Sequence, residues 1–354
     1  MRGGEYVLEA MVELFPEATL FTLLRYPETI SPPLAALPAR VSWLQKIPGV
    51  QKRYRSFLPL MPAAIESLDA TEFDFILSSS HCVAKGIRKR KDALHVSYVH
   101  APMRYMWDRF DEYFGPRVAP AWMRMAALAW RPFLQKWDLS SSKGVDAFIA
   151  NSHYIAARIR KIYGREARVV HPFADLRRFQ GPRRPEDKYL VMGAMAPYKR
   201  TDLTIQAFNE LRLPLVVIGS GQDESRLRAM AGPTIEFLGG GLSNLEIAEW
   251  LARCKAFVFA GEEDFGITLV EALAAGAPVI AYAGGGALEI VTQETGLFFQ
   301  EQTVKSLKEA IRLFEAGDVS IHEAHCRARA AGFDKQRFKS ELIAELKQIL
   351  KKAG

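Results

Sequence analysis

The stretch Gly261-Glu262-Glu263-Asp264-Phe265-Gly266-Ile267-Thr268-Leu269-Val270-Glu271 indicates the fold of the chain. It follows an apolar and aromatic run at 256–260, which predicts a short buried strand. After Gly266 the apolar side chains recur at helical spacing, so a helix is predicted to follow. Three acidic side chains thus crowd the carboxyl end of a predicted strand, and Glu271 lies about one helical turn further on. Ligands bind at that edge in open α/β sheets, so this turn is the predicted binding site.

The same alternation of strand and helix continues through the second half of the chain. Strands are predicted at 189–193, 215–219, 235–238, 256–260, 279–282 and 297–299, with helices between them. Such alternation is typical of a doubly wound parallel sheet. The segment 180–188 precedes it and is rich in proline and charge, so we interpret it as an interdomain linker.

The first half is predicted to form a second α/β domain. Its strands are predicted at 20–23, 73–78, 95–100 and 145–150. Frequent prolines between 30 and 62 predict a loop-rich connection with short helices. Gly3-Gly4 opens the first helix, and such a turn normally follows a strand in a βαβ unit. Only two residues precede it, so we expect either coding sequence upstream of Met1 or a fold that lacks its first strand.

Length and composition favour two domains in a reducing compartment. A chain of 354 residues can bury two separate cores. Three widely spaced cysteines and the absence of a signal-peptide pattern predict a cytoplasmic protein without disulfides. No stretch is expected to span a membrane, because Arg124 and Arg131 interrupt one apolar candidate and Glu271 and Pro278 interrupt the other.

The positive charge is clustered. Net charge is +7, and the run 85–91 and the group Lys52, Arg53 and Arg55 are both basic. A cationic face suits anionic lipid headgroups, nucleic acid or a diphosphate, and a solvated basic face accounts for the clusters equally well. The helical region 120–142 interleaves aromatic residues with arginines, which suits either a membrane interface or a core helix. Peripheral association with anionic membranes is predicted to use the run 85–91 and the 120–137 region.

Two motifs near the opening stretch carry a resemblance to a known family. Glu263 and Glu271, separated by seven residues around Phe265-Gly266, resemble the E-x7-E signature of retaining glycosyltransferases of family 4. The segment 196–203, which contains Lys199, looks like the phosphate-binding lysine segment of that family.

Three further segments extend the resemblance to nearly the whole chain. Residues 276–280 are similar to the usual continuation of the E-x7-E motif, and Gly284-Gly285-Gly286 with Glu289 resembles the turn and helix that follow. The segment His100-Ala101-Pro102-Met103-Arg104-Tyr105-Met106-Trp107-Asp108 looks like a subset of mannosyltransferases of surface-polysaccharide assembly.

The resemblance implies the GT-B fold, in which two Rossmann-like doubly wound domains face each other across a cleft. Residues 1–178 would form the acceptor-side domain and 189–332 the nucleotide-sugar donor domain, while 333–354 would form a helix that crosses back to the first domain. The family's chemistry implies a nucleotide-sugar donor, retention of anomeric configuration, and no requirement for a cofactor or metal.

The resemblance also implies a role for each matched residue. Lys199 would stabilise the departing diphosphate, Glu263 would bind hydroxyl groups of the sugar, and His100 would lie beside the reacting sugar from the opposite domain. Glu271 would accept hydrogen bonds from the ribose hydroxyls. The implied donor-binding residues are Gly3, Gly4, Arg200, Phe265, Gly266, Ile267 and Glu271, with backbone N–H groups acting at 265–267.

One position departs from the family pattern. Many members carry an arginine five positions before the lysine, and this chain has Ala194. Either Arg200 or another basic residue is expected to compensate, or stabilisation of the diphosphate is weaker. His322 and His325 have metal-like residue types without a second ligand pair, so we predict a surface helix and no metal site there.

These observations predict a glycosyltransferase that moves a sugar onto a lipid-linked saccharide at the inner face of the cell membrane. Mannose from GDP-mannose is the donor that the resemblance favours, and no nucleic acid partner is expected. Two alternatives stay open: a sugar-nucleotide epimerase of similar architecture, and a non-catalytic nucleotide- or nucleic-acid-binding protein.

Overall fold

The computed structural model describes residues 3–116, 118–317 and 319–353. The chain divides into two compact units, one of residues 1–171 with 339–354 and the other of residues 172–338. Both contain a parallel sheet whose strands are joined by helices. The α/β class predicted from the strand and helix patterns is confirmed.

The first unit is built on a four-stranded parallel sheet and a separate two-stranded parallel pair. Its elements are α1 (Gly3–Val12), β1 (Leu20–Thr22), α2 (Pro32–Ala36), β2 (Ala39–Val41), α3 (Val50–Arg53), α4 (Met61–Glu66), β3 (Phe75–Ser80), β4 (Leu94–Val99), α5 (Phe110–Phe114), α6 (Ala121–Ser142), β5 (Ala147–Ala150), α7 (His153–Tyr163) and β6 (Ala167–Val169). Strands β3, β4, β5 and β6 lie side by side in that order.

The start of this unit contains a strand that the sequence did not predict. Strand β2 lies in the region 30–62, where loops and short helices were predicted. Three residues are too few to show an alternating pattern, and β2 is a strand because it pairs with β1, with Leu20 opposite Ala39. Helix α1 begins at Gly3; Met1 and Arg2 lie outside the described residues, and the expectation that the first strand is missing stays a prediction.

The second unit contains a six-stranded parallel sheet. Its elements are β7 (Tyr189–Met192), α8 (Thr201–Leu211), β8 (Leu215–Ile218), α9 (Glu224–Met230), β9 (Ile235–Gly239), α10 (Asn244–Arg253), β10 (Phe257–Phe259), α11 (Ile267–Ala274), β11 (Val279–Tyr282), α12 (Ala287–Ile290), β12 (Gly296–Phe299), α13 (Val304–Glu315) and α14 (Glu323–Ala331). Helix α15 (Lys335–Ala353) begins in this unit, and its residues from Lys339 onward belong to the first.

The sheet of the second unit is doubly wound, as the sequence predicted. Its strand order is β12-β11-β10-β7-β8-β9. Phe257 and Phe259 of β10 pack into one hydrophobic core, while Val258 between them packs into another. Successive side chains of a strand point to opposite faces, so these two cores lie on opposite faces of the sheet. Helices cover both faces, which is why the strands read as continuous apolar runs.

An ion pair is buried within the first unit. Lys85 is buried, and its ammonium contacts the equally buried carboxylate of Asp138 on α6. The same carboxylate accepts hydrogen bonds from Trp107 Nε1 at 2.8 Å and from the Tyr163 hydroxyl at 3.0 Å. Lys85 also donates to the Cys82 carbonyl at 3.0 Å. Both charges are therefore compensated by several polar contacts, which a buried pair requires.

Most of the charges in the basic run 85–91 have a partner within the first unit. Lys85 is inside the unit, and the next three basic side chains are each ion-paired with an aspartate. The pairs are Arg88 with Asp69, Lys89 with Asp146, and Arg90 with Asp74. The sequence did not suggest these pairs, because the aspartates lie in other segments of the chain; Lys91 is exposed, and a role of the run in membrane association stays a prediction. Within the described residues, no helix combines the length and apolar character needed to cross a membrane.

The contrast between buried and exposed pairs gives a stability prediction. Asp138→Ala is expected to lower the free energy of unfolding by about 3–5 kcal/mol, because Lys85 would keep its buried charge without a partner. Arg88→Ala, which breaks an exposed pair of the same basic run, is the matched control and should cost about 1 kcal/mol or less. Urea denaturation followed by circular dichroism measures both. Equal losses in the two variants would show that Lys85 is not buried as a charge.

Candidate active site

The turn after β10 lies at a topological switch point of the sheet. Strands β7, β8 and β9 are added in one direction, and the chain then returns to place β10 on the other side of β7. Loops that follow the two strands at such a point diverge and leave a crevice at the carboxyl edge. The segment that contains Lys199 follows β7, and the turn that contains Glu263 follows β10. The fold therefore brings both predicted residues to one crevice.

Lys199 and Glu263 form an ion pair in this crevice. Lys199 Nζ lies 2.5 Å from Glu263 Oε1, and both side chains are mostly buried. The ammonium also lies 5.9 Å from the centre of the Phe259 ring, at the end of β10. A Cβ atom at Gly261 would lie 3.1 Å from the Lys199 backbone, a tight contact, so the glycine favours the close approach of the two loops. Lys199, the predicted ligand of the diphosphate, is thus paired with Glu263, the predicted ligand of the sugar.

A third loop closes over the turn. The Gly286 N–H donates to the Glu263 carbonyl at 2.9 Å. A Cβ atom at Gly286 would lie 2.1 Å from the Phe265 carbonyl oxygen, so any larger residue would push the loops apart. The close approach of these two loops therefore explains a glycine at position 286. The sequence showed the run 284–286 only as a resemblance.

The amino end of α11 faces the same turn. Gly266 precedes the helix with a φ of 103°, a value that favours glycine, and Ile267 is its first residue. Within the part of the chain that the structure describes, the N–H groups of Gly266 and Ile267 have no backbone acceptor. Unpaired N–H groups at a helix start can bind an anion. The Phe265 side chain is buried against Phe333, with ring centres 5.7 Å apart, so it anchors the turn in the core.

Glu271 lies on α11 with a partner that the sequence did not suggest. Its Oε1 atom lies 3.3 Å from Nη1 of Arg178, which belongs to the short 3₁₀ turn Leu176–Phe179. Burial raises the pKa of Glu271, and the Arg178 charge opposes that rise. Sequence reasoning missed Arg178, since an arginine pair ahead of a charged linker is equally typical of a surface turn. Only the packing of this turn against α11 gives it a place in the site.

Arg200 and Ala194 lie in the segment that follows β7. Arg200 adopts left-handed backbone angles, φ 53° and ψ 34°, at the start of α8. This conformation costs a residue with a side chain roughly 1–2 kcal/mol. The Arg200 Nε atom lies 3.4 Å from Asp202 Oδ1, so its charge is paired locally. Ala194 is exposed and supplies no cation.

In the first unit, His100 and Gly4 lie together at the carboxyl end of β4. The Ser79 hydroxyl lies 2.8 Å from His100 Nε2. A Cβ atom on Gly4 would lie 3.5 Å from the same nitrogen, so α1 packs its glycine against the imidazole ring. Asn151 Nδ2 donates to the His100 carbonyl at 3.1 Å. Gly3, the other predicted glycine, is the first residue of α1.

The His100 imidazole is neutral at physiological pH. Burial, assisted by the charge of nearby His81, lowers its pKa from the usual 6.5 to about 3. A neutral imidazole can donate one hydrogen bond and accept another. His100 is therefore suited to bind sugar hydroxyl groups rather than to supply a positive charge.

Comparison with known proteins identifies the family of the chain. Residues 5–178 match the family described as Glycosyltransferase Family 4, and residues 173–332 match the family described as Glycosyl transferases group 1. The chain belongs to glycosyltransferase family 4. The family recognised from the E-x7-E and lysine motifs is confirmed.

Several relatives of this glycosyltransferase carry names that specify mannose. It is 29% identical over 234 residues to a GDP-mannose-dependent monoacylated alpha-(1-6)-phosphatidylinositol monomannoside mannosyltransferase of Corynebacterium glutamicum, a match of 57% of this chain and 60% of the relative. It is 36% identical over 129 residues to a phosphatidyl-myo-inositol mannosyltransferase of Propionibacterium freudenreichii, covering 34% of this chain and 32% of the relative. These matches thus span about a third to three fifths of the length of the relatives.

Solved structures share the fold of this glycosyltransferase over almost its entire length. Anabaena HepE in complex with UDP and glucose has a TM-score of 0.67 at 15% identity, covering 98% of this chain and 96% of that chain. Sucrose-phosphate synthase from Thermosynechococcus elongatus has a TM-score of 0.70 at 17% identity, covering 98% and 92%. At these identities the likeness establishes the fold, and the predicted GT-B fold is confirmed.

The neutral histidines of the first unit predict a loss of stability in acid. Burial lowers the pKa of His95 to about 4, as it lowers that of His100 to about 3. Below pH 6.5 the unfolded chain therefore binds protons that the native chain does not. The free energy of unfolding should fall between pH 6.5 and 4, by up to about 1.4 kcal/mol per pH unit for each histidine.

Urea denaturation of the wild type and of His95→Asn at pH 7, 6 and 5 measures this effect. Asparagine cannot be protonated in this range, so the variant should lose less stability between pH 7 and 5 than the wild type. Parallel pH profiles would mean that His95 does not contribute.

Proposed function

We propose that this glycosyltransferase transfers mannose from GDP-mannose, with retention of configuration, to a lipid-linked saccharide at the cytoplasmic face of the cell membrane. The observation that carries the proposal is the convergence of Lys199, Glu263 and the amino end of α11 on one crevice. These groups match a diphosphate, a sugar hydroxyl and an anion, respectively. The names of the relatives support mannose, the guanosine nucleotide and an acceptor that carries a lipid.

The donor would occupy the crevice in a defined order of groups. Glu271 would accept hydrogen bonds from the vicinal hydroxyls of the ribose, with Arg178 favouring its ionised form. The diphosphate would replace Glu263 as the partner of Lys199, and the released carboxylate of Glu263 would bind the hydroxyl groups of the sugar. Within the first unit, His100, neutral and held by Ser79, is the residue proposed to bind hydroxyl groups of a sugar.

The chemistry would depend on positive charge at the leaving group. As the bond from the sugar to the diphosphate breaks, negative charge builds up on the phosphate oxygens and must be stabilised. Lys199 and the N–H groups of Gly266 and Ile267 would provide this stabilisation, which is the basis for proposing that no metal is required. In a retaining reaction the acceptor attacks the face that the diphosphate leaves, and the leaving phosphate would accept the acceptor's proton.

Site variants test this assignment. Glu271→Ala is expected to lose donor affinity about tenfold or more, and Lys199→Ala to lose turnover by about 10²–10³-fold, the range found when one charge-stabilising donor is removed. Calorimetric titration with GDP-mannose and a transfer assay measure the two effects. Lys255→Ala is the control, since Lys255 lies ahead of β10 at the opposite edge of the sheet and pairs with Glu315. Wild-type donor affinity in Glu271→Ala together with wild-type turnover in Lys199→Ala would contradict the assignment.

The ion pair gives a second and less obvious expectation. In Glu263→Gln, Lys199 loses the carboxylate that competes with the diphosphate. The affinity for free GDP should therefore rise, by about tenfold if about 1.4 kcal/mol of pairing is released, while sugar transfer falls. Calorimetric titration with GDP measures the change, and Glu315→Gln is the matched control because Glu315 pairs with Lys255 outside the site. Weaker GDP binding in Glu263→Gln would show that Glu263 helps to hold the phosphates instead.

A donor and acceptor panel tests the proposed substrates. GDP-mannose should raise the melting temperature more than UDP-glucose or GDP-glucose, because a ligand that binds only the folded state stabilises it. GDP release should require an acceptor, for which phosphatidylinositol monomannoside in vesicles is the probe. Conversion of the donor without an acceptor would favour the epimerase alternative, and binding without either reaction would favour the non-catalytic one.

A further inference from the structure

Helix α6 leaves a wide apolar face uncovered. Half of the large apolar side chains that are exposed among the described residues lie on this one helix. They are Trp122, Met123, Met125, Leu128, Trp130, Phe133 and Leu139. Trp122 and Met125 are the most exposed, at 70% and 65%. A monomeric protein rarely leaves such a contiguous patch in water, so the face has a partner.

The opposite face of α6 is fixed in the first unit. Ala127, Leu134, Trp137 and Asp138 are buried there. The ion pair of Asp138 with Lys85 and the packing of Leu134 and Trp137 in the core prevent the helix from rotating its aromatic residues inward. The exposed face is therefore a permanent feature of the folded unit.

The composition of the exposed face favours a lipid surface. Its polar members are Lys136 and Ser140, so the exposed face carries one cation and no acidic residue; Arg124 is paired with Asp111, and Arg131 is directed to the inner side. Tryptophan and phenylalanine beside cationic side chains suit the boundary between headgroups and acyl chains. A net charge of +7 adds attraction to anionic lipids. From Trp122 to Leu139 the face extends about 26 Å along the helix, parallel to the surface on which it would lie.

We propose that the exposed face of α6 docks this glycosyltransferase on the surface of an anionic lipid bilayer, with the helix lying in the interface. The docking does not rely on the basic run 85–91, in which Lys85 is buried and Arg88, Lys89 and Arg90 are paired with aspartates. Docking rests on the proposed function for the membrane location and the lipid-linked acceptor, and it can be measured without donor or acceptor.

The docking helix also holds the segment that follows His100. Arg131 Nε donates to the Met106 carbonyl at 2.9 Å, and Gln135 Nε2 donates to the same carbonyl at 2.7 Å. Arg131 Nη2 donates to the Trp107 carbonyl at 2.8 Å. The segment after His100 is therefore attached to the inner side of the helix whose outer side meets the lipid. This segment connects His100, the candidate site residue of the first unit, to the docking helix. A lipid-linked acceptor would have to reach the site from the same membrane surface.

Vesicle binding tests the proposal. The probes are phosphatidylcholine vesicles with and without about one third phosphatidylglycerol, and the readouts are co-sedimentation and tryptophan fluorescence. The wild type should sediment with the anionic vesicles, and its emission should shift to shorter wavelength as Trp122 and Trp130 leave water. The variant Trp122→Ser, Trp130→Ser, Phe133→Ser should bind at least tenfold more weakly.

A matched control separates this face from general surface apolarity. The variant Leu245→Ser, Leu313→Ser, Leu350→Ser removes three apolar side chains of comparable exposure, 69%, 51% and 49%, from other helices. It should bind vesicles as the wild type does. Equal binding by the two triple variants, or no binding by the wild type at low salt, would overturn the proposal.

Two further measurements distinguish lipid docking from self-association and from misfolding of the variant. If the face is instead an interface between two copies of the chain, the wild type will dimerise without lipid in analytical ultracentrifugation and the α6 variant will not; that result would also overturn the proposal. Trp122→Ser alone, at an exposed position, covers the case in which the triple variant fails to fold, and it should also bind anionic vesicles more weakly than the wild type. GDP-mannose affinity should be unchanged in all these variants, so a failure of docking is distinguishable from a failure of the proposed function.

Discussion

The parallel pairing of β7 with β10 is the constraint on which the candidate donor site depends. These strands are far apart in sequence, and Leu190 lies opposite Phe257 in the sheet. Because the chain reverses its direction of winding between them, the loops after the two strands begin side by side and then diverge, which leaves a crevice at the carboxyl edge. Lys199 and Glu263 meet there only because their loops begin at adjacent strand ends. Gly261 and Gly286 then let three loops approach at backbone distance.

Two lysine–carboxylate pairs in this chain have the same chemistry and different consequences. Lys85 and Asp138 are enclosed, and Trp107, Tyr163 and the Cys82 carbonyl complete their hydrogen bonds. That pair is fully satisfied and contributes to the architecture of the first unit. Lys199 and Glu263 are mostly buried but lie at the carboxyl edge of the sheet, in the crevice. A diphosphate can compete there for the lysine, and this competition makes the second pair suitable for binding and release.

Helix α6 connects architecture with the proposed location of the enzyme. Its inner side carries Asp138, Arg131 and Gln135, which bind the buried lysine and the segment after His100. Its outer side is almost entirely apolar. A helix with this division can be rigid with respect to its own unit and still offer a surface to lipid. The long aromatic stretch is therefore both a core element and an exposed one, whereas the sequence presented these as alternatives.

The sequence alone determined the α/β class, the doubly wound second sheet and the motifs that identify family 4. It could do so because parallel strands buried on both faces are short apolar runs, and because the E-x7-E and lysine motifs are local patterns. What only the tertiary structure decided are the contacts between distant segments. Arg178 reaches Glu271, Lys199 pairs with Glu263, and aspartates 16 to 57 residues away pair with three basic side chains of the run 85–91. The partner of a charge depends on which strands and helices pack together, and no spacing within one segment encodes that.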